Sequence, residues 1–125
     1  MDENKKTKTI LVVDDEDMIR TFVQAMLEHA GYNVLAADGA AAGMSLYEKH
    51  RAAVALLLTD VQMPGMNGLE LAVHIRKLEP RLPVLLMSGH DSASAIAMKA
   101  TPGFGFVRKP FTHYELLSRT AEILD

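Results

Sequence analysis

The sequence of 125 residues contains no cysteine. Disulfides, thiol nucleophiles and cysteine-ligated zinc sites are therefore excluded. No apolar run reaches the roughly 18 residues that a membrane span needs, and the polar residues 1–6 lack the apolar stretch of a secretion signal behind them. These absences predict a cytoplasmic protein without membrane insertion. The net charge of −3 gives no reason to expect nucleic-acid binding.

The chain alternates between two kinds of hydrophobic pattern. Helical stripes between short apolar runs predict five helices and five strands, the strands at residues 10–13, 33–36, 54–59, 84–87 and 104–107. Such alternation predicts a parallel sheet with helices on both faces, and a sheet of fewer than eight strands stays open. The length and the hydrophobic fraction of 49% predict one domain over residues 9–125 after a flexible tail of residues 1–8.

Some helix boundaries are marked by recognisable residues. Gly31 supplies a stop for the first helix, and Asp38 is predicted to cap a second helix over residues 39–50. Thr112 and Glu115 form a capping box for the last helix. A fourth, alanine-rich helix is predicted over residues 91–100. The apolar stripes of the first and third helices are Ile19, Phe22, Val23, Met26, Leu27 and Ala30, and Leu71, Ala72, Ile75 and Leu78.

Polar residues follow four of the predicted strands. Asp14 and Asp15 follow the first strand and Asp60 follows the third. Ser88 follows the fourth strand and Lys109 the fifth. Because open parallel sheets bind ligands at the carboxyl ends of their strands, we expect these distant residues to become neighbours at one functional edge.

The chemistry of these side chains points to phosphoryl transfer. Three neighbouring carboxylates repel one another and resist ionisation unless a cation lies between them. Oxygen ligands without histidine or cysteine favour Mg²⁺, which leaves positions for water and phosphate oxygens. Lys109 could pair with Asp60 at rest and with a phosphoryl oxygen later, and Ser88 offers a hydroxyl donor. Asp60 then fits the role of a carboxylate nucleophile that forms an acyl phosphate.

Each of these signals alone also has a structural explanation. An acidic pair after a strand is often a helix N-cap with a favourable dipole interaction, and Asp17 is best interpreted in that way. A lone aspartate at a strand end is usually a turn residue, and a Lys-Pro pair usually ends a strand. The combination at four separate strand ends is much harder to explain by structure alone.

At these residues the chain resembles the receiver domain of two-component response regulators, the family that includes the chemotaxis regulator. Four segments carry the resemblance in the family's order, and they are residues 10–16, 58–68, 84–89 and 106–111. The segment around Asp60 is the most specific match. The resemblance implies a flavodoxin-like fold with strand order 2-1-3-4-5.

The resemblance also implies a metal site. Asp60 would be phosphorylated, and Asp15 and Asp60 would bind Mg²⁺ directly, with Mn²⁺ as a possible substitute. Asp14 would bind through water, and the main-chain carbonyl of Gln62 would supply a further ligand. The side chain of Gln62 could orient a water molecule or hydrogen-bond its own loop.

For the phosphoryl group and the switch, the resemblance implies three further roles. Ser88 would follow the phosphoryl group, Lys109 would contact it, and the bond between Lys109 and Pro110 would be cis. Phe106 would turn inward behind Ser88, although an aromatic residue in a strand is also ordinary core. His90 flanks the site, where a histidine is more commonly an exposed loop residue than a catalytic one.

The expected phosphodonor is a sensor histidine kinase or a histidine phosphotransfer domain, and the downstream partner is an unnamed protein. The domain would assist its own phosphorylation and dephosphorylation without being an enzyme in the ordinary sense. Its last strand and helix lack the charged pattern of the family's DNA-binding branch, so we expect a monomer or weak dimer. The chain is expected to be a single-domain regulator or a receiver from a larger protein such as a hybrid sensor kinase.

Three other functions are compatible with this topology. A metal-dependent phosphatase that uses an aspartyl phosphate usually carries a second aspartate two residues after the nucleophile, where this chain has Gln62. A flavin or nucleotide binder needs a first loop rich in glycine, serine or threonine, whereas residues 14–17 are all acidic. A degenerate receiver that acts as an adaptor would be expected to lack part of the acidic cluster or the lysine, and both are present.

Overall fold

The computed structural model describes residues 8–89 and 101–124, and these contain a five-stranded parallel sheet of order β2-β1-β3-β4-β5. The strands are β1 (Thr9–Val13), β2 (Asn33–Ala37), β3 (Val54–Asp60), β4 (Val84–Ser88) and β5 (Phe104–Arg108). The helices in the described ranges are α1 (Asp17–His29), α2 (Ala40–His50), α3 (Gly68–Leu78) and α4 (His113–Leu124). The predicted fold class and strand order are confirmed, and each strand is one residue longer than predicted.

Three predictions fall on residues outside the described ranges. These are the flexible tail over residues 1–8, of which only the last residue is described, the helix over residues 91–100 and the role of His90. Within the described ranges, no helix combines the length and the apolar character that a membrane crossing requires.

The apolar runs form the centre of the sheet. Strands β1 and β4 are buried along their whole length, as expected for strands that are covered by helices on both faces. Alternate residues point to opposite faces and divide the core into two clusters. One cluster includes Leu11, Val13, Leu57, Leu71, Ile75 and Tyr47, and the other includes Ile10, Val12, Leu56, Leu58, Val23, Leu27 and Leu116.

The end of α1 agrees with the predicted stop at Gly31. Gly31 adopts a φ of 106°, which favours glycine, and its N–H donates to the carbonyl of Glu28 at 3.0 Å. The N–H of Tyr32 donates to the carbonyl of Leu27 at 3.1 Å. This pair of hydrogen bonds is a Schellman motif, which satisfies two carbonyls at the helix end.

The helix caps confirm one prediction and contradict another. The capping box of α4 is present, with Thr112 and Glu115 exchanging hydrogen bonds of 2.9 and 3.0 Å. The predicted cap of α2 by Asp38 is wrong, because the helix begins at Ala40 and Gly39 takes the N-cap position without a side-chain hydrogen bond. Asp38 therefore lies one residue too early to bind the free N–H groups of the helix.

Two residues of the predicted apolar stripes are exposed. Phe22 of α1 is 50% exposed and Leu78 of α3 is 39% exposed. The fully covered positions of α1 are Val23, Met26 and Leu27. Helical spacing gives the direction in which a side chain points, but it does not give the width of the surface that the neighbouring elements cover.

Candidate functional site

Three carboxylates meet at the carboxyl edge of the sheet, as predicted. Val13 and Thr59 pair across β1 and β3, so the residues that follow them, Asp14 and Asp60, lie side by side. Asp15 comes next in the chain, and oxygen atoms of all three carboxylates lie within 4.8 Å of one another. Asp14 and Asp60 are buried, whereas Asp15 is exposed to solvent. The cluster is therefore open on the side of Asp15.

Lys109 enters this cluster from the end of β5. Its Nζ lies 3.0 Å from Asp14 Oδ2, 3.3 Å from Asp60 Oδ1 and 3.6 Å from Glu16 Oε1. The N–H of Lys109 donates to the carbonyl of Ser88 at 2.9 Å, which ties the lysine to the end of β4. The expected pairing with Asp60 is present, although Asp14 makes the shortest contact. The bond between Lys109 and Pro110 is cis, as expected.

The surroundings change the acidity of two groups. Burial raises the pKa of Asp60 above its ordinary value, and the charge of Asp14 adds to this effect, while Lys109 and the N–H of Gln62 act in the opposite direction. For Lys109, burial favours the neutral form, but the hydrogen bond and charge of Asp14 and the charge of Asp60 outweigh it and raise the pKa. Lys109 therefore remains a cation, and the carboxylates outnumber it.

The donor set fits a hard divalent cation such as Mg²⁺. The three side chains supply only oxygen ligands, which Mg²⁺ prefers. Both oxygens of Asp14 are already engaged, Oδ1 by the N–H of Glu16 at 2.9 Å and Oδ2 by Lys109. This arrangement leaves Asp15 and Asp60 as the better direct ligands and is consistent with contact through water for Asp14. The roles of Asp14, Asp15, Asp60 and the Gln62 carbonyl as metal ligands remain predictions.

Ser88 and Phe106 lie on the two strands beyond Asp60. Asp60 pairs with Met87, so Ser88 follows one residue later at the same edge, and it is buried. Phe106 pairs with Leu86 and is partly buried against the core on the side of α2 and α3. The topology thus places Ser88 on the strand next to Asp60 and Phe106 one strand further away, and their switching roles remain predictions.

Sequence reasoning missed three residues that hold the site in place. Glu16 contacts Lys109, and the guanidinium of Arg20 donates to the main-chain carbonyl of Asp14 at 2.9 Å. A Cβ atom on Gly68 would lie 1.8 Å from the carbonyl oxygen of Asp60, so a larger residue cannot fit there. The available signals were the third acidic residue in the first loop and the glycine at the end of the turn over residues 64–68, which by themselves indicate only a turn.

Comparison with known proteins agrees with this geometry. The family model described as the response regulator receiver domain matches residues 10–121. The autoinducer 1 sensor kinase/phosphatase LuxN of Vibrio harveyi is 33% identical over 109 residues, which cover 87% of this chain and 13% of LuxN. The probable transcriptional regulatory protein TcrX of Mycobacterium tuberculosis is 33% identical over 117 residues, which cover 93% of this chain and 49% of TcrX.

Among solved structures, a response regulator receiver domain protein (CheY-like) from Methanospirillum hungatei superposes with a TM-score of 0.86 and 31% identity over 94% of both chains. This chain spans less than half the length of LuxN and of TcrX. With its strand order, its acidic cluster and the match over residues 10–121, the chain belongs to the response regulator receiver domain family of two-component signalling.

Proposed function

We propose that Asp60 accepts a phosphoryl group in a reaction that depends on Mg²⁺. One observation carries the proposal: the buried carboxylate of Asp60 lies within 4.8 Å of two further carboxylates and 3.3 Å from the ammonium of Lys109. One point of the structure thus combines a nucleophile, oxygen ligands for a cation and a fixed positive charge. Phosphoryl transfer requires little more than such positioning and charge neutralisation.

In the proposed reaction, a carboxylate oxygen of Asp60 forms a bond to the phosphorus of the donor. The bond from phosphorus to the donor nitrogen or oxygen breaks, and its electron pair leaves with the donor, so that Asp60 becomes an acyl phosphate. Bound Mg²⁺ would neutralise charge on the phosphoryl oxygens. Lys109 would bind one phosphoryl oxygen, and the N–H of Gln62 would orient the Asp60 carboxylate, to which it donates at 3.4 Å.

We propose that the phosphoryl group changes the surface around β4 and β5. It adds a charge of about −1.5 to −2 at the edge of the sheet. The Ser88 hydroxyl would donate to it, and the space that Ser88 leaves would admit Phe106, which already packs against the core. A partner that binds this face differently in the two states would then read the signal.

The proposed phosphodonor is a histidine kinase or a histidine phosphotransfer domain in the cytoplasm. Sensor kinases such as LuxN are among the relatives that contain a matching segment. The start of α1, directly after the acidic loop, carries Met18 and Phe22, which are 87% and 50% exposed. These side chains would give the donor an apolar contact near Asp15. The domain would act as a signalling switch that assists its own phosphorylation and dephosphorylation.

The proposal is tested by incubating the protein with acetyl phosphate and Mg²⁺ and measuring its intact mass after a quench that preserves acyl phosphates. We expect wild type and the matched control Asp38→Asn, which changes an exposed aspartate outside the cluster, to gain one phosphoryl group. Asp60→Asn and wild type with excess EDTA should gain none. Absence of labelling in wild type would count against the proposal, and labelling of Asp60→Asn would place the acceptor elsewhere.

A further inference from the structure

Arg76 of α3 connects the starts of the last two strands. Its Nη1 donates to the carbonyl of Leu82 at 3.1 Å, and its Nη2 donates to the carbonyl of Pro102 at 3.1 Å. The guanidinium also lies 5.0 Å from the centroid of the Phe104 ring, within the range of a cation–π contact. A planar group with several fixed donors can bind two carbonyls and an aromatic face at the same time, which a lysine cannot do.

Gly103 provides the space for this arrangement. A Cβ atom at this position would lie 2.7 Å from Nη1 of Arg76, closer than such a pair of atoms can approach. Gly103 also has a φ of +86°, a conformation that side chains of other residues rarely adopt. The turn before β5 is therefore shaped to accept the guanidinium.

Strand β5 depends on such an anchor because it lies at the edge of the sheet. Among the strands in the described part of the chain it pairs with β4 alone, and of its five residues only Val107 is buried. Gly105 at its centre has no side chain to pack. The register runs from Val84 opposite Phe104 to Ser88 opposite Arg108. A slip of one residue would turn every side chain of the strand to the other face.

The register of β5 decides where Lys109 lies. Lys109 follows the last residue of the strand, and its N–H donates to the carbonyl of Ser88 at 2.9 Å. Arg76 therefore anchors the amino end of the strand whose carboxyl end delivers the site lysine. The carboxylates of the cluster stand at the ends of β1 and β3, which this anchor does not hold.

We propose that Arg76 is a positioning residue for the phosphoacceptor reaction, which it serves by holding β5 in register with β4 and thereby Lys109 beside Asp60. This inference rests on the proposed function of Asp60. Loss of the anchor would slow phosphoryl transfer, because Lys109 would reach its position less often. It would not weaken Mg²⁺ binding, because the proposed metal ligands lie on other strands and the displaced Lys109 is itself a cation beside Asp14 and Asp60.

The test compares Arg76→Ala with Arg51→Ala. Arg51 is a matched control, since its guanidinium also donates to a main-chain carbonyl, that of Leu78 at 2.6 Å, at the same end of the molecule. We expect Arg76→Ala to lower the initial rate of labelling by acetyl phosphate about tenfold, less than the roughly 100-fold that a 1 Å displacement of reacting groups can cost. Arg51→Ala should label at the wild-type rate. Calorimetric titration with Mg²⁺, with folding verified by circular dichroism, should give the wild-type affinity for Arg51→Ala and an affinity no lower than that of wild type for Arg76→Ala.

Two further variants keep the inference testable if Arg76→Ala does not fold. Arg76→Lys can donate to one carbonyl and should retain part of the rate. Gly103→Ala displaces the guanidinium of Arg76 and should slow labelling. In a double-mutant cycle, Gly103→Ala should slow labelling less in the Arg76→Ala background than in wild type. The inference would be overturned if Arg76→Ala labelled at the wild-type rate or if Arg51→Ala lost as much labelling rate as Arg76→Ala. It would also be overturned if Arg76→Ala bound Mg²⁺ more weakly than wild type. Absence of labelling in wild type would instead overturn the proposed function, and this inference with it.

Discussion

At the scale of single residues, Asp60 is held where its own negative charge is disfavoured. It is 4% exposed, it lies beside the carboxylate of Asp14, and Lys109 compensates only in part. The balance raises its pKa above the ordinary value of 3.8. Such a group costs folding free energy in its ionised form, and this cost is tolerated where a function requires the charge.

Asp60→Asn should therefore stabilise the fold when no divalent cation is present, by about 1 kcal/mol. In wild type, a raised pKa means that proton binding stabilises the folded state, fully so below the unfolded-state pKa of 3.8. This stabilisation is lost as the pH rises through the folded-state pKa, so the advantage of the variant should grow above about pH 4 and level off once that pKa has been passed. Denaturant unfolding in EDTA measures the difference. Equal stability of wild type and variant at neutral pH would contradict the expectation.

At the scale of elements, the junction between β3 and α3 holds Asp60 by close backbone packing. The N–H of Gly68 donates to the carbonyl of Val61 at 2.9 Å. The helix then begins under a capping box, in which Asn67 and Glu70 exchange hydrogen bonds of 3.0 and 2.9 Å. The first residue of α3 thus lies directly against the backbone of the candidate phosphoacceptor, and one turn joins the helix start to the site.

Gly68→Ala should break this junction. The new Cβ would meet the carbonyl oxygen of Asp60 at 1.8 Å, and a backbone atom cannot move aside as a flexible side chain can. We expect a loss of about 1–3 kcal/mol in the free energy of unfolding, the usual range for overpacking. Gly89→Ala is the control, because Gly89 also follows a site residue, but none of the residues that the structure describes has an atom within 4 Å of a Cβ at that position. Similar stability of the two variants in denaturant would show that the junction is not tight.

At the scale of the whole molecule, the sheet assembles a cluster of carboxylates from residues that are far apart in the chain. The acidic loop after β1 and the end of β3 supply the carboxylates, and the edge strand β5 supplies Lys109. Because carboxylates outnumber the lysine, the folded state carries unbalanced negative charge that the unfolded chain disperses. A cation that binds the folded state alone should therefore stabilise the entire domain.

Saturating Mg²⁺ should raise the melting temperature of wild type. At about 100 times the dissociation constant, binding contributes about 2.7 kcal/mol, which corresponds to a rise of roughly 10 °C for a domain of this size. Asp15→Asn should lose most of this rise, since it removes one of the two carboxylates proposed as direct ligands. Asp38→Asn, which removes an exposed aspartate elsewhere, should keep it. Differential scanning calorimetry with and without Mg²⁺ decides the matter, and equal shifts in wild type and Asp15→Asn would argue against this metal site.

Local signals account for most of what could be predicted. The stop at Gly31 and the capping box of Thr112 and Glu115 depend on neighbouring residues only, and both agree with the structure. The predicted cap by Asp38 was wrong by one residue. An aspartate can occupy the N-cap position itself or, as here, precede a glycine in that position. The exposure of Phe22 depends on how far other elements extend over α1, which spacing along one helix does not contain.

The sequence by itself determined the five strands, their parallel arrangement and the meeting of Asp14, Asp15, Asp60, Ser88 and Lys109 at one edge, whereas the strand order followed from the family resemblance. It could do so because alternation of apolar patterns dictates the layers, and parallel strands place their carboxyl ends together. Only the tertiary structure decided which atoms meet there: the shortest contact of Lys109 with Asp14, the clash that keeps position 68 a glycine and the anchor made by Arg76. Such contacts join segments that are distant in the chain and depend on atomic positions to within about 1 Å. The packing of the whole core determines these positions.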